Sequence, residues 1–508
     1  MLSLLIALPL LGTLIVALLP EKHGRLTGRA IAFTVAILSF VWSVLLGFKF
    51  DAELTSLQFV ENLPWIAQLG LSYRLGLDGL SLPLVVLNGL LTWIAVYSTD
   101  PDIQRPRLYY SLILLLNAGV VGAFLSHNLL LFFLFYELEL IPLYFLIGIW
   151  GGARRGYAAT KFLIYTAFSG VLILAGFLGV VWLSGADSFE YNPALAASLP
   201  LSSQFLLLGT LLVGFGIKIP LVPFHTWLPD AHVEASTPVS VLLAGVLLKL
   251  GTYGLLRFNQ GLFPEAWAIA APYLATWAVV SVLYGAFTAI AQKDMKKMVA
   301  YSSIGHMGFI LLAAAAATPL SNLGAMFQMV SHGLISALLF LLVGVVYKKT
   351  GTRDITVLRG LLNPERGLPL IGSLMIAGVM ASAGIPGMMG FISEFLVFRG
   401  SFPVFPVQTL LSMVGTGLTA VYLLLLVNRT FFGRLPDQFS NLPRVEWRDR
   451  IPGIILTVLI ILWGLQPSWL VHWSETTLTA MLTGPGAIAT TPLVTPSTTS
   501  PKTSLKVL

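Results

Sequence analysis

Apolar residues fall along this chain in blocks about twenty residues long, separated by short polar stretches. A helix rises 1.5 Å per residue, so a block of ~20 is the length needed to cross a ~30 Å hydrocarbon layer. The blocks predict an all-α polytopic membrane protein with about 14 transmembrane helices, at roughly 1–20, 29–48, 75–98, 108–126, 128–150, 160–183, 203–226, 237–258, 270–292, 296–315, 323–346, 368–397, 406–429 and 451–471. The first block has no Lys or Arg before it, so it reads as a retained span rather than a cleaved signal. The Thr-, Pro- and Ser-rich stretch 480–508 reads as a flexible tail.

The pattern also repeats. Spans 4–8 and spans 9–13 match at an offset near 166 residues, anchored by Pro220 in GFGIKIPLVPF and Pro386 in SAGIPGMMGF. Each proline removes a backbone N–H and interrupts its helix about two-thirds of the way along. Two inverted five-helix repeats with broken spans 7 and 12 are expected, because paired broken helices mark a mid-membrane conduction site. The expected organisation is N-terminal helices over 1–106, a first repeat over 107–259, a second over 270–430, a last helix at 451–471 and the tail.

Composition sharpens this picture. Of 508 residues, 56% are hydrophobic and 10% charged, too few charges to clothe a soluble protein, which carries about 25%. The net charge of +7 does not point to nucleic acid. Loops after odd-numbered spans hold 21 of the 29 Lys and Arg, among them Lys293, Lys297, Lys348 and Lys349, and the positive-inside rule puts that face in the cytoplasm. Both termini are then expected on the opposite side. Two lysines, Lys218 and Lys249, remain inside spans.

A charge at the bilayer centre costs about 2.5–3.5 kcal/mol even on a lenient scale, so each one needs a reason. Glu137 and Glu139, in LFFLFYELELIPLYF, lie about 200° apart on a helix and cannot both face one groove; either could instead be a protonated acid making an interhelical hydrogen bond. Lys218 stands two residues before Pro220, where a broken helix frees carbonyls that an ammonium can approach. Burial disfavours that ammonium and a carboxylate favours it, so the group can load and unload a proton. Glu137 is expected to pair with Lys218, and Glu139 to point away. Lys249 is central in span 8, and Glu394 follows Pro386 by eight residues, either central or near the outer boundary. His306 and His332, in spans 10 and 11, can pass protons through neutral imidazole; haem ligation and plain interhelical hydrogen bonding are the rival readings. PFHTWLPDAHVEAS holds His225, Asp230, His232 and Glu234, but its spacing fits no zinc pattern, and it reads as a polar re-entrant turn or proton exit.

Cysteine is absent, which excludes disulfides and cysteine-held iron–sulfur clusters. No GxGxxG follows a strand and no GxxxxGK[ST] occurs, so the chain is expected to bind no NAD, flavin, ATP, other cofactor or metal.

The stretch IKIPLVPFHTWLPDAHVEASTPVSVLLAGVLLKLGTYGLLRF resembles the antiporter-like subunits of respiratory complex I and of multisubunit cation/proton antiporters. With YELELIPLYFLIGIWGG, KDMKKMVAYSSIGHMGF and GIPGMMGFISEF, it is most similar to the chain-4 branch of that family, over roughly residues 70–430. The resemblance implies fourteen helices with inverted repeats. It also implies a proton relay of Glu137, Lys218, Lys249, His306, His332 and Glu394. ELELIPLYFLIGIWGG looks like the photosynthetic branch, which implies a cyanobacterial thylakoid complex oxidising NAD(P)H or ferredoxin and reducing plastoquinone. In such a complex electrons, plastoquinone and the electron donor are handled by other subunits, and neighbouring antiporter-like subunits and lipids are the contacts of this chain. The short apolar N-terminus leans toward the carbon-uptake form of that complex. A subunit of a multisubunit Na+/H+ antiporter is the alternative, and a passive scaffold a third.

Overall fold

The computed structural model describes residues 1–20 and 24–483; of the expected tail, 484–508 lies outside the described residues. Helices α1 (Ser3–Leu18) and α2 (Leu26–Lys49) lead into strands β1 (Gln58–Ile66) and β2 (Leu71–Leu77), and α3 follows (Ser81–Ser98). Next come α4 (Pro106–Leu125), α5 (Leu129–Leu138), α6 (Leu140–Trp150), α7 (Arg155–Ser184), the short α8 (Pro193–Ala197), α9 (Leu201–Lys218) and α10 (Trp227–Glu234). Residues 237–260 form one continuous helical segment. It is built of α11 (Thr237–Leu242), a π turn (Leu243–Leu247), α12 (Leu248–Gly254) and a second π turn (Leu255–Gln260). The remainder is α13 (Pro264–Ile290), α14 (Met295–Ala316), α15 (Pro319–Thr350), α16 (Pro369–Ser382), α17 (Met389–Ser401), α18 (Pro406–Phe431), α19 (Trp447–Leu465) and α20 (Ser468–Thr483).

The helices start where the chain supplies side-chain acceptors. Asn128 accepts from the backbone N–H of Leu130 and Leu131 at 3.1 Å, Asp294 from Lys296 and Lys297, and Thr318 and Ser321 close a capping box at the head of α15. Among the described residues, 11 helical segments are long and apolar enough to cross a membrane, or 12 if α19 and α20, bent by 67°, count as one. α1 and α16 are apolar but shorter. The architecture is therefore a mostly helical, polytopic membrane protein.

Buried fraction separates inside from outside. The hydrophobic windows of α14 and α15 are 94% buried and that of 237–260 wholly so, whereas those of α2 and α18 are 39% buried. The first three form the interior, with α15 packed by α11, α14, α17, α19 and α20. Outer helices turn residues such as Leu14, Val171, Phe287 and Leu424 outward, as a lipid-facing surface requires.

Two expectations need correction. The protein is not all-α: β1 and β2 pair antiparallel, Gln58 opposite Leu77 and Leu63 opposite Tyr73, across a turn at Gly70 with φ 63°. The third span accordingly does not begin at 75, because Leu71, Leu75 and Leu77 alternate inward from a strand and the helix starts only at Ser81. Secondly, Arg257 is no loop residue. It lies in the second π turn, 5% exposed, and its guanidinium pairs with Asp78, the residue that leads from β2 into α3.

Candidate functional site

Both proline-marked spans are broken. After α9 the chain leaves the helix over 219–226 before α10, and α16 and α17 are separated by 383–388. Gly384 and Gly387 take φ of 70° and 89° there, a conformation that a side chain disfavours. A Cβ at Gly390 would collide with the Ala381 carbonyl, so glycine is what lets α17 start against the end of α16.

Lys218 is the last residue of α9 and is 1% exposed. Its ammonium forms an ion pair with Glu139, which is 0% exposed, and stands 4.8 Å from the Tyr136 ring centre. The second oxygen of Glu139, Oε2, has no hydrogen-bond partner. Glu137, expected to hold Lys218, makes no hydrogen bond or ion pair among the described residues, and its carboxylate lies in a niche that exists because Gly170 of α7 has no Cβ. It remains within electrostatic reach of Lys218. The expectation that Glu139 points away from the lysine is thus corrected. The helical wheel does make the two carboxylates diverge, but it cannot say which of the neighbouring helices carries the lysine.

Lys249 is fully buried in α12. Its ammonium donates to the Ala244 carbonyl at 2.7 Å, inside the π turn one step upstream, and lies 2.8 Å from His332 Nδ1. With lysine as donor, Nδ1 is the acceptor and the ring proton sits on Nε2, which has no protein partner. Glycines bring these groups together. A Cβ on Gly333 would stand 2.9 Å from the Gly245 carbonyl, and one on Gly251 3.0 Å from the Ile219 nitrogen. Only bare backbone lets 237–260 lie this close to α15 on one side and to the broken end of α9 on the other.

Beyond His332 the His306 ring follows at 5.5 Å between centres, and His306 Nε2 stands 3.8 Å from Glu394 Oε1. Glu394 is 4% exposed, which places it in the interior rather than at the outer boundary, and its Oε2 accepts from Thr416 at 2.9 Å. His306, His332, Glu394, Gln328 and Ser382 line one cavity. Three of its polar atoms, His332 Nε2, Glu394 Oε1 and Gln328 Oε1, lack protein partners. Lys249, His332, His306 and Glu394 therefore form a file, and Lys218 with Glu139 is a separate ion pair next to it.

The polar turn around α10 is spread out rather than clustered. Asp230 binds Lys161 at 2.7 Å, Glu234 accepts from the Arg154 N–H at 2.8 Å, and His232 stacks on Phe340 with both ring nitrogens unpartnered. Among the described residues no group of three or more His, Cys, Asp or Glu could hold a metal. Sequence reasoning missed three groups. Lys296, counted as a loop residue, is 4% exposed and donates to the Ala235 carbonyl at 2.6 Å. Asp78 and His127 are buried beside Arg257. The GLDGLS stretch around Asp78 was the one available signal, a lone acid directly before an apolar run.

The fold and the buried ion pairs define a polytopic helical membrane protein of the antiporter-like kind. Residues 126–419 match the family model described as NADH:quinone oxidoreductase/Mrp antiporter, TM, and the chain belongs to that family. It is 42% identical to NAD(P)H-quinone oxidoreductase chain 4 2 of Thermosynechococcus vestitus, over 94% of this chain and 91% of that one. It is 43% identical to NAD(P)H-quinone oxidoreductase chain 4-2 of Synechocystis sp., over 87% and 80% of the two chains. Among solved structures it is similar to a chain of respiratory complex I from Thermus thermophilus, with TM-score 0.85 and 28% identity over 95% of this chain and 99% of that one. A chain of the Mrp complex from Dietzia sp. shares the fold at TM-score 0.83, with 21% identity over 94% and 97%.

Proposed function

We propose that this chain is a proton-translocating, antiporter-like subunit of a membrane NAD(P)H- or ferredoxin–plastoquinone oxidoreductase complex, without a cofactor of its own. The observation that carries the reading is the buried file Lys249–His332–His306–Glu394 beside the Lys218–Glu139 pair. Five of these six groups can release and rebind a proton at modest energy if a neighbouring charge moves, and Glu139 supplies such a charge. Opening the pair at Lys218 weakens the hold on its proton. Driving one charge against about 100 mV takes roughly 2.3 kcal/mol, less than the several kcal/mol at stake in separating a buried ion pair. The unpartnered atoms of the cavity suit a water bridging His332 and Glu394. Glu137 acts as the second carboxylate that Lys218 senses.

The finer architecture belongs to the same proposal: fourteen spans, with α1, the joined α16 and α17, and the last helical pair completing the count. The two inverted repeats cover 107–259 and 270–430. The basic loops face the cytoplasm and both termini the lumen of a cyanobacterial thylakoid. Other membrane subunits flank the exposed apolar helices, and the N-terminus favours the carbon-uptake form of the complex. In reconstituted vesicles holding the assembled complex, Lys218→Ala should abolish proton uptake per electron transferred through this chain. Unchanged proton yield would sink the proposal, and sodium-driven turnover without a quinone-reducing arm would favour a Na+/H+ antiporter subunit.

A further inference from the structure

The apolar helix α18 ends at Phe431, and the chain between α15 and α16 folds back over its last turn. A cleft of about 580 Å³ opens between that connection and the helix end. Arg359, Asn428 and Arg429 supply its polar wall, and Val357, Phe432 and Pro436 its apolar one. No acidic side chain lines it. Neither arginine makes a hydrogen bond or ion pair among the described residues, although two guanidiniums share one cleft. The nearest acid upstream, Asp354, is engaged elsewhere: it accepts from the Thr356 N–H at 2.8 Å and the Thr356 hydroxyl at 2.7 Å. Those bonds hold its carboxyl below the usual range.

The cleft floor is fixed by backbone. Gly360, Leu361 and Leu362 donate to the carbonyls of Phe432, Thr430 and Phe431 at 3.0, 3.2 and 3.0 Å. These bonds occupy the carbonyls at the C-terminus of α18, which would otherwise repel an anion. Gly433, at φ 93°, leaves room for the Arg359 guanidinium, since a Cβ there would stand 2.7 Å from its Nε. Unpaired guanidiniums match phosphate or sulfonate oxygens in pairs. The apolar wall at the end of a lipid-facing helix matches an acyl chain, which a free anion would not use.

We infer that this cleft binds the headgroup of an anionic membrane lipid, with Arg359 and Arg429 on its phosphate or sulfonate and Val357, Phe432 and Pro436 against its first acyl carbons. The test uses the assembled complex, titrated with phosphatidylglycerol or phosphatidylcholine in detergent and read by native mass spectrometry. Wild type should retain one more phosphatidylglycerol than the R359Q/R429Q variant, whose affinity at this site falls roughly ten- to thirtyfold at about 1 kcal/mol per basic residue. Arg444→Gln, exposed on the same face outside the cleft, should match wild type. In the wild-type complex, phosphatidylglycerol should also slow amide exchange over 355–362. Equal retention by the double variant, equal retention of phosphatidylcholine, or unchanged exchange would overturn the inference. Displacement by excess inorganic phosphate alone would overturn it in favour of a soluble-anion site.

Discussion

At the scale of single residues, the two glutamates of span 5 separate structure from transport. Glu139 is the direct partner of Lys218, so Glu139→Gln leaves a buried ammonium uncompensated, at an expected cost of about 3–5 kcal/mol. Less assembled complex and a lower thermal midpoint should result, and a normal midpoint would show that the lysine finds another partner. Glu137, in its niche at Gly170, has no such bond to lose. Glu137→Gln should assemble normally and pump poorly, and wild-type proton stoichiometry in that variant would remove Glu137 from the mechanism. Lys249 invites a different substitution. Arginine keeps its proton under all relevant conditions, so Lys249→Arg should retain the charge facing His332 while proton uptake in vesicles is lost; full uptake would make Lys249 a fixed charge only. Of these groups, the ionisable ones were legible because they interrupt apolar runs. Which carboxylate meets Lys218 was not, since that depends on where α9 ends relative to α5.

At the scale of elements, glycines set the distances on which the site depends. Gly170→Ala would push on the Glu137 carboxylate, and Gly176→Ala, two turns along the same helix, would meet only the Leu211 side chain at 2.5 Å. The first should lower pumping per assembled complex and the second only the amount assembled. Equal pumping by both would mean that the niche has no role in transport. Most helices were legible as apolar runs, and both breaks from Pro220 and Pro386. The β1–β2 hairpin was not, because a twenty-residue window averages its strand alternation into the following helix. Nor were the two π turns, whose sequences, LAGVL and LLRFNQ, carry no helix breaker.

At the scale of the whole molecule, the Asp78–Arg257 pair ties the hairpin to the interior, and His127 sits against it. Burial first, then the Arg257 guanidinium, pull the His127 imidazole from 6.5 to about 3, against the opposing pull of Asp78. A histidine held neutral in this way leaves stability intact above pH 6.5, and stability falls as the unfolded chain takes up the proton between 6.5 and about 3. Asp78, held below its ordinary value because Arg257 outweighs its burial, adds a loss lower in the acid range. The thermal midpoint of His127→Gln should therefore drop less between pH 7 and pH 5 than that of wild type, and parallel slopes would mean that His127 opens to solvent. The π turns carry a consequence for the same interior. Side chains advance by about 100° per residue around a helix, so a segment that accommodates an extra residue in each wide turn works like a frame-shifted message. Removing one residue from 243–247 would let that stretch relax into an ordinary α-helix while keeping every later residue's identity. It would swing Lys249 and all that follows by roughly a quarter of a revolution relative to α15. The orientation in which one half of the protein addresses the other is thus stored in the count of residues between Thr237 and Gln260, and a single-codon deletion there would be felt as far away as Glu394.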